Sequence, residues 1–296
     1  MEPKSAKQRF MEEGYFVFPK LLNEKETAEL RAAVEFIRDS LYEDFDRRNP
    51  GKDTIVFRHL NNPVWSKDRP EYCRRIMELA ADPRCLGPVE QIFEGPSLFR
   101  TTSLMVPSRY KSTDGNWHRD WQFMVRDPEK EKAVILRLRR ERLVSGVQFQ
   151  IALVDNDDLE YIPYSAGRYD TEEEFYVRLA DNWSHATEPL PNSIRLKLKA
   201  GDAALINATG LHRGRYHTDI PRLTLMFTYT PKSMPYYDYL VDQPFCLEPG
   251  YLDGLSLRAK AYFTEFIETY RDYWTANEEQ KKAFHELNYD RTLLGV

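Results

Sequence analysis

Along the first third of the chain, apolar residues recur at helical spacing. Leu30, Ala33, Val34, Ile37 and Leu41 share one face, and Asn23 with Glu26 three residues on forms a capping pair, predicting a helix through about Tyr42. Just before it, Tyr15–Phe18 is a short β-rich run stopped by Pro19, the pattern of an edge strand. A second helix is expected over Glu71–Ala81, ahead of Asp82-Pro83.

From about residue 98 the pattern shortens to strands. The expected ones are Leu98–Val106, Asn116–Met124, Gly146–Val154, Leu159–Pro163, Ile194–Leu198, Ala203–Asn207 and Arg222–Thr230. So many short strands, separated by turn residues, suggest a sandwich or barrel. One helix interrupts them, opened by Thr171 and Glu174. The stretch Leu255–Trp274 is amphipathic, with Leu257, Ala261, Phe263, Phe266, Ile267 and Tyr270 near one face. The expected plan is a single domain over 1–296, mainly β with flanking helices: a mostly helical part to 97, a barrel core over 98–232, and a helical part over 233–296.

Composition narrows the class. The 296 residues carry 42 Lys plus Arg against 47 Asp plus Glu, a net charge of −5, which argues against a nucleic-acid partner. No run of about 18 apolar residues offers a membrane span, and MEPKSAKQRFMEEGY lacks the apolar core of a secretory signal. Cys73, Cys85 and Cys246 are odd in number with no CxxC spacing, against a disulfide framework or a structural zinc site. A cytoplasmic enzyme with a small-molecule substrate is expected, its oligomeric state open. The sequons at Asn182 and Asn207 are then chance matches. Glycine-rich nucleotide loops are absent, and Ser165 in PYSAG lacks the first glycine of a hydrolase elbow.

Of six histidines, His118 has informative neighbours, N-W-H-R-D-W. On a strand, residues i and i+2 share a face, placing the His118 imidazole beside the Asp120 carboxylate. Together with a distal His212 they make a 2-His-1-carboxylate set, which leaves open positions on Fe(II). Ten residues past His212, Arg222 opens an apolar strand with Thr224 on the same face. A buried arginine there needs an anion, and its planar fork suits a carboxylate. Metal ligands plus a carboxylate-gripping arginine are what a 2-oxo-acid-dependent iron oxygenase requires.

The residues also resemble a known family, the phytanoyl-CoA dioxygenase superfamily of Fe(II)/2-oxoglutarate oxygenases. G-Y-F-V-F-P-K-L-L-N-E-K-E-T-A-E-L is similar to its N-terminal strand and helix, W-H-R-D to its W-H-x-D, G-D-A-A-L-I-N-A-T-G-L-H-R-G to its distal-histidine segment, and R-L-T to its R-x-S/T. The resemblance implies a double-stranded β-helix (jelly-roll, cupin-like) barrel. It also implies Fe(II) held by His118, Asp120 and His212, with Arg222 and Thr224 on the cosubstrate 2-oxoglutarate and O2 as oxidant. The activity implied is hydroxylation of a C–H bond, with release of succinate and CO2. The family uses the Gly146–Val154 strand at its site, which brings in Gln148 for the cosubstrate, Gln150 as a neighbour on the same face, and Thr102 on a preceding strand. The chain departs from the family at the pocket rim: Tyr164 stands where P-G-S-H has Gly, Gly167-Arg168 where it has His-Arg, and Asp157-Asp158 replace Asn-Gly.

Those rim loops set the substrate. Arg109, Lys111, Arg119, Arg126, Arg168, Arg213 and Arg215 cluster near the proposed ligands in an acidic chain, a local excess that focuses anions. Arg109 and Arg126 border strand ends, and with Gln150 and Trp121 they are the expected substrate contacts for a polar or anionic metabolite. Two other readings stay open: a zinc-dependent hydrolase on the same His/Asp/His set, which leaves Arg222 unexplained, and a ligand-binding barrel without turnover.

Overall fold

The computed structural model describes residues 4–289. In chain order its elements are α1 (Ala6–Glu13), β1 (Tyr15–Phe18), α2 (Glu24–Arg48), β2 (Val56–Arg58), α3 (Pro70–Ala80), α4 (Pro83–Phe93), β3 (Ser97–Met105), β4 (Thr113–Asp114), α5 (Trp121–Met124) and α6 (Pro128–Arg140). There follow β5 (Val147–Ala152), β6 (Leu159–Tyr161), α7 (Glu172–Leu179), β7 (Ile194–Arg195), β8 (Ala203–Ile206), β9 (His212–Tyr216), β10 (Thr224–Pro231), α8 (Leu257–Thr275) and α9 (Glu278–Tyr289).

The strands form two antiparallel sheets, ordered β1-β8-β5-β10-β3-β2 and β4-β9-β6-β7. From β3 onward the chain winds between them: β3 in the larger sheet, β4 in the smaller, β5 back, β6 and β7 across, β8 back, β9 across, β10 back. This winding is the double-stranded β-helix expected from the sequence, wrapped in more helix than its strand pattern suggests.

Register decides which side chains face the interior. Ser103, Met226, Gln150 and Ala204 lie in one cross-strand row, and Thr101, Thr228, Gln148 and Ile206 in the next. The alternate rows, Leu104 with Leu225 and Ile151, and Thr102 with Phe227 and Phe149, face the helices. There they join α2 (Leu30, Val34, Ile37), α4 (Val89, Ile92) and α8 (Phe263, Phe266) in the main core. The larger sheet is thus apolar on its helix side, while its interior face carries the polar Thr101, Ser103, Gln148, Gln150 and Thr228.

Asn23 and Thr171 cap their helices through reciprocal bonds with Glu26 and Glu174, as their spacing predicts, and β1 sits at a sheet edge. Three expectations need correction. Asp82-Pro83 does not only end a helix: Asp82 accepts from the Arg84 N–H and caps α4, with Pro83 at its first position. Asp127-Pro128 opens α6 in the same way, so Arg137–Arg140 close a helix whose Val134, Ile135 and Leu138 are buried. In α8, Leu257 and Ala261 lie on the solvent side, while Tyr273 and Trp274 extend the buried face.

Candidate metal and cosubstrate site

The segment expected as a strand over Asn116–Met124 is a single bridge followed by a helical turn. His118 and His212 exchange backbone N–H···O bonds of 3.1 Å each. Asp120 then takes helical angles (φ −60°, ψ −28°) and starts α5, its N–H donating to the Ala208 carbonyl at 3.0 Å. The turn brings Asp120 beside both imidazoles without the strand alternation that suggested the pairing. It also returns Phe123 to the pocket side, its ring centroid 5.4 Å from that of His118.

The three side chains converge. Their potential ligand atoms all lie within 4.8 Å of one another. Asp120 Oδ1 stands 3.8 Å from His118 Nε2 and 3.7 Å from His212 Nε2. Each Nδ1 faces a backbone carbonyl, Asn116 O at 2.8 Å for His118 and Gly210 O at 2.9 Å for His212. That bond fixes Nδ1 as the protonated nitrogen and leaves both Nε2 lone pairs directed at the shared space. Burial, and then the charge of His118, push the His212 pKa down to about 4, so this imidazole is in its ligating form at neutral pH. On the far side of Asp120, Gln148 Nε2 donates to Oδ2 at 2.8 Å, and Gln150 Nε2 donates to Gln148 Oε1 at 3.0 Å. The two glutamines orient the carboxylate from the interior face of β5.

Between His118 and Asp120, Arg119 points the other way and is fully buried. Its Nε donates to Asp170 Oδ1 at 2.8 Å, and its Nη1 to the carbonyls of Ser165 and Thr209. Asp170 Oδ2 accepts from Arg178, which also holds Glu131 through two bonds. This buried chain of charges ties the H-R-D turn to α6, α7 and the loop before β9.

A cavity of about 240 Å³ between the sheets contains His118, Asp120 and His212. A larger hollow, about 520 Å³, lies against α1 and α6 and contains none of them. Arg222 lines the smaller cavity. Its Nη1 donates to the Arg215 carbonyl at 2.8 Å and its guanidinium lies 4.3 Å from the Tyr216 ring centroid. Gly214 permits this approach, because a Cβ there would meet Arg222 Nη1 at 2.6 Å. Thr224 is buried at the start of β10.

Other sequence-predicted contacts lie elsewhere. Thr102 faces the helix side, donating to Asn61 Oδ1 at 3.0 Å, because the interior rows of β3 pass through Thr101 and Ser103. Arg109 forks onto Asp46 at 2.7 and 2.8 Å, bonds Asp53 and stacks on Tyr42, outside the cavity. Arg126 is exposed and borders a separate hollow with Trp183. Trp121 is buried against Tyr236, outside the cavity that holds His118, Asp120 and His212. Arg213 does border the cavity, but its guanidinium pairs with Glu160 over the Trp117 ring, and Arg215 pairs with Asp157 outside it.

Two arginines that the sequence reading passed over do line the cavity. Arg100 enters at the bulge between β3 and β10, buried and paired with Asp238. Arg58, at the end of β2, is exposed at the cavity wall, 5.2 Å from the Tyr239 ring centroid. A charged residue in the otherwise uncharged run Ser97–Met105 was the available signal for Arg100.

The fold and its converging His-Asp-His group define a double-stranded β-helix protein with a facial set of metal-ligand types. The phytanoyl-CoA dioxygenase (PhyH) family model matches residues 10–224, and the chain belongs to that family. No curated protein matches it in sequence. Solved structures share the fold at low identity. AviO1 from Streptomyces viridochromogenes Tue57 is 16% identical over 78% of this chain and 95% of its own, with a TM-score of 0.53. EctD from S. alaskensis with bound Fe is 17% identical over 79% and 80%, also at 0.53. The carbocyclase SnoK from nogalamycin biosynthesis is 18% identical over 78% and 88%, at 0.50.

Proposed function

We propose that this chain is an Fe(II)- and 2-oxoglutarate-dependent oxygenase that hydroxylates a small polar or anionic metabolite. The observation that carries the reading is the facial group itself: two Nε2 atoms and one Asp120 oxygen meet at one point, each held from behind by a bond to its other donor or acceptor atom. Two imidazoles and one carboxylate, at the wall of an open cavity, suit Fe(II) with coordination positions left for cosubstrate. Family membership and the iron named with EctD support the same metal. His118, Asp120 and His212 would hold the iron, and Arg222 would take the far carboxylate of 2-oxoglutarate. Iron, 2-oxoglutarate and O2 together supply the oxidising power to convert a substrate C–H to C–OH, with succinate and CO2 as co-products.

Gln148 positions Asp120, and Gln150 offers its own carbonyl oxygen to the cavity. Arg58, exposed at the cavity wall, is the basic group that favours an anionic or strongly polar substrate, since the charge of Arg100 is met by Asp238. A single-domain reading is supported by both sheets and both flanking helical regions contributing to one cavity or its core. The buried, unpaired Cys73, Cys85 and Cys246 favour a reducing compartment such as the cytoplasm, and the acidic net charge disfavours nucleic acid. Among the described residues no helix is long and apolar enough to cross a membrane.

Anaerobic titration with Fe(II) and 2-oxoglutarate tests the assignment. Chelation at an open iron site gives a weak charge-transfer band near roughly 500 nm. A zinc hydrolase or an inert barrel gives none. Substrate-stimulated succinate release, screened across small carboxylates, sugars, phosphorylated metabolites and CoA esters, then identifies the substrate class.

A further inference from the structure

Asp158 stands immediately behind Arg222 and is itself buried, 1% exposed. Its Oδ2 lies 3.8 Å from Arg222 Nε, too far for a hydrogen bond, and neither atom has a hydrogen-bond partner among the described residues. Its Oδ1 is 3.5 Å from Arg215 Nε, while Arg215 is also paired with Asp157. Arg222 has one terminal nitrogen on the Arg215 carbonyl and one face against Tyr216. The Nε edge is therefore left to Asp158. Two buried, opposite charges with an unmade bond apiece attract strongly at this separation, and a shift of under an ångström closes the pair.

We propose that Asp158 is an internal carboxylate competing for Arg222, so that it lowers the affinity of the site for 2-oxoglutarate. The inference rests on the reading of Arg222 as the cosubstrate anchor. A dicarboxylate entering the cavity places its far carboxylate on a guanidinium that already faces one negative group. The ligand thus meets repulsion from Asp158 as well as attraction from Arg222. Asp158 touches no cosubstrate in this scheme and acts by its charge, on the arginine and on the carboxylate the arginine would hold.

The test uses the full chain loaded with Ni(II), which binds without turnover, and measures 2-oxoglutarate by isothermal titration calorimetry. Asp158→Asn keeps the shape and removes the charge, and should tighten 2-oxoglutarate about tenfold. Affinity for 2-oxobutyrate, which lacks the far carboxylate, should not change, a selectivity that a merely structural role would not produce. Asp158→Ser gives the same direction should the asparagine variant fold poorly. Equal or weaker 2-oxoglutarate binding in a folded Asp158 variant overturns the proposal. Arg222→Gln separates the two levels: if it binds 2-oxoglutarate as the parent does, the anchor reading fails and the Asp158 proposal falls with it.

Discussion

Replacing Asp170 by Asn tests whether the buried charge chain holds the metal-ligand turn. Asp170, Arg119 and Arg178 have fully buried side chains. The carboxylate accepts from Arg119 at 2.8 Å on one oxygen, and from Arg178 at 2.8 and 2.6 Å on the other. An amide keeps one acceptor and turns an NH2 toward the second guanidinium, leaving a buried cation short of its counter-charge. Removing one partner of a buried pair costs about 3–5 kcal/mol. Arg178 retains Glu131, and Arg119 retains two carbonyls, which argues for the lower end, about 3 kcal/mol. For 296 residues, at an unfolding entropy of about 2.1 cal/mol/K per residue, that is a fall of roughly 5 °C in Tm. Thermal unfolding of the metal-free protein by circular dichroism measures it. Because Arg119 sits between His118 and Asp120, Ni(II) affinity should fall as well. A loss of stability below about 1 kcal/mol, with metal affinity unchanged, would refute the clamp and show that the turn holds its own shape.

His118→Ala, Asp120→Ala and His212→Ala should each abolish tight Ni(II) binding and turnover while the far-ultraviolet spectrum stays native; a variant that keeps parental metal affinity is not a ligand variant. Gln148→Leu should weaken metal binding less, by roughly tenfold or more, because it removes the bond that aims Asp120 rather than a ligand. Burial pushes His59 below the ordinary histidine pKa, and His212 to about 4. The unfolded chain takes up these protons near pH ~6.5 and the folded one only lower, so the unfolded state binds more protons in between. The metal-free protein should therefore lose stability as pH falls below ~6.5. A Tm that is flat from about pH 7.5 to about pH 5 contradicts this, and His59→Gln should remove its share of the slope. Gly210→Ala should disorder the distal-histidine loop, since a Cβ there overlaps the Tyr161 hydroxyl and crowds Ser165 Oγ; near-wild-type Tm and metal affinity would show that Tyr161 can yield.

The periodic parts of the chain were readable because their signals are local. The apolar face of α2, its Asn23–Glu26 cap and the alternation of Val147, Phe149 and Ile151 against Gln148 and Gln150 each concern residues one turn or one pleat apart. The nearness of His118 and Asp120 follows from their spacing, but not by the route strand alternation implies. Strand alternation suggested it, whereas a bridge and a helical turn produce it. The missed helices α4 and α6 had signals of their own in Asp82-Pro83 and Asp127-Pro128, where the same dipeptide that stops one helix caps the next.

The sequence by itself determined most of the short strands, the caps and the residue types able to hold a metal and a carboxylate, because these depend on neighbours along the chain. Only the tertiary structure decided which arginines face the cavity. An arginine's role depends on where its carboxylate partner lies, and those partners are distant in sequence: Asp46 and Asp53 draw Arg109 outward, Asp170 draws Arg119 inward, and Glu160 takes Arg213. The same pairing placed Arg100 beside Asp238 in the cavity wall and set Asp158 behind Arg222. Composition counts charges, but the desolvation of each one is settled by the partner that folding brings to it.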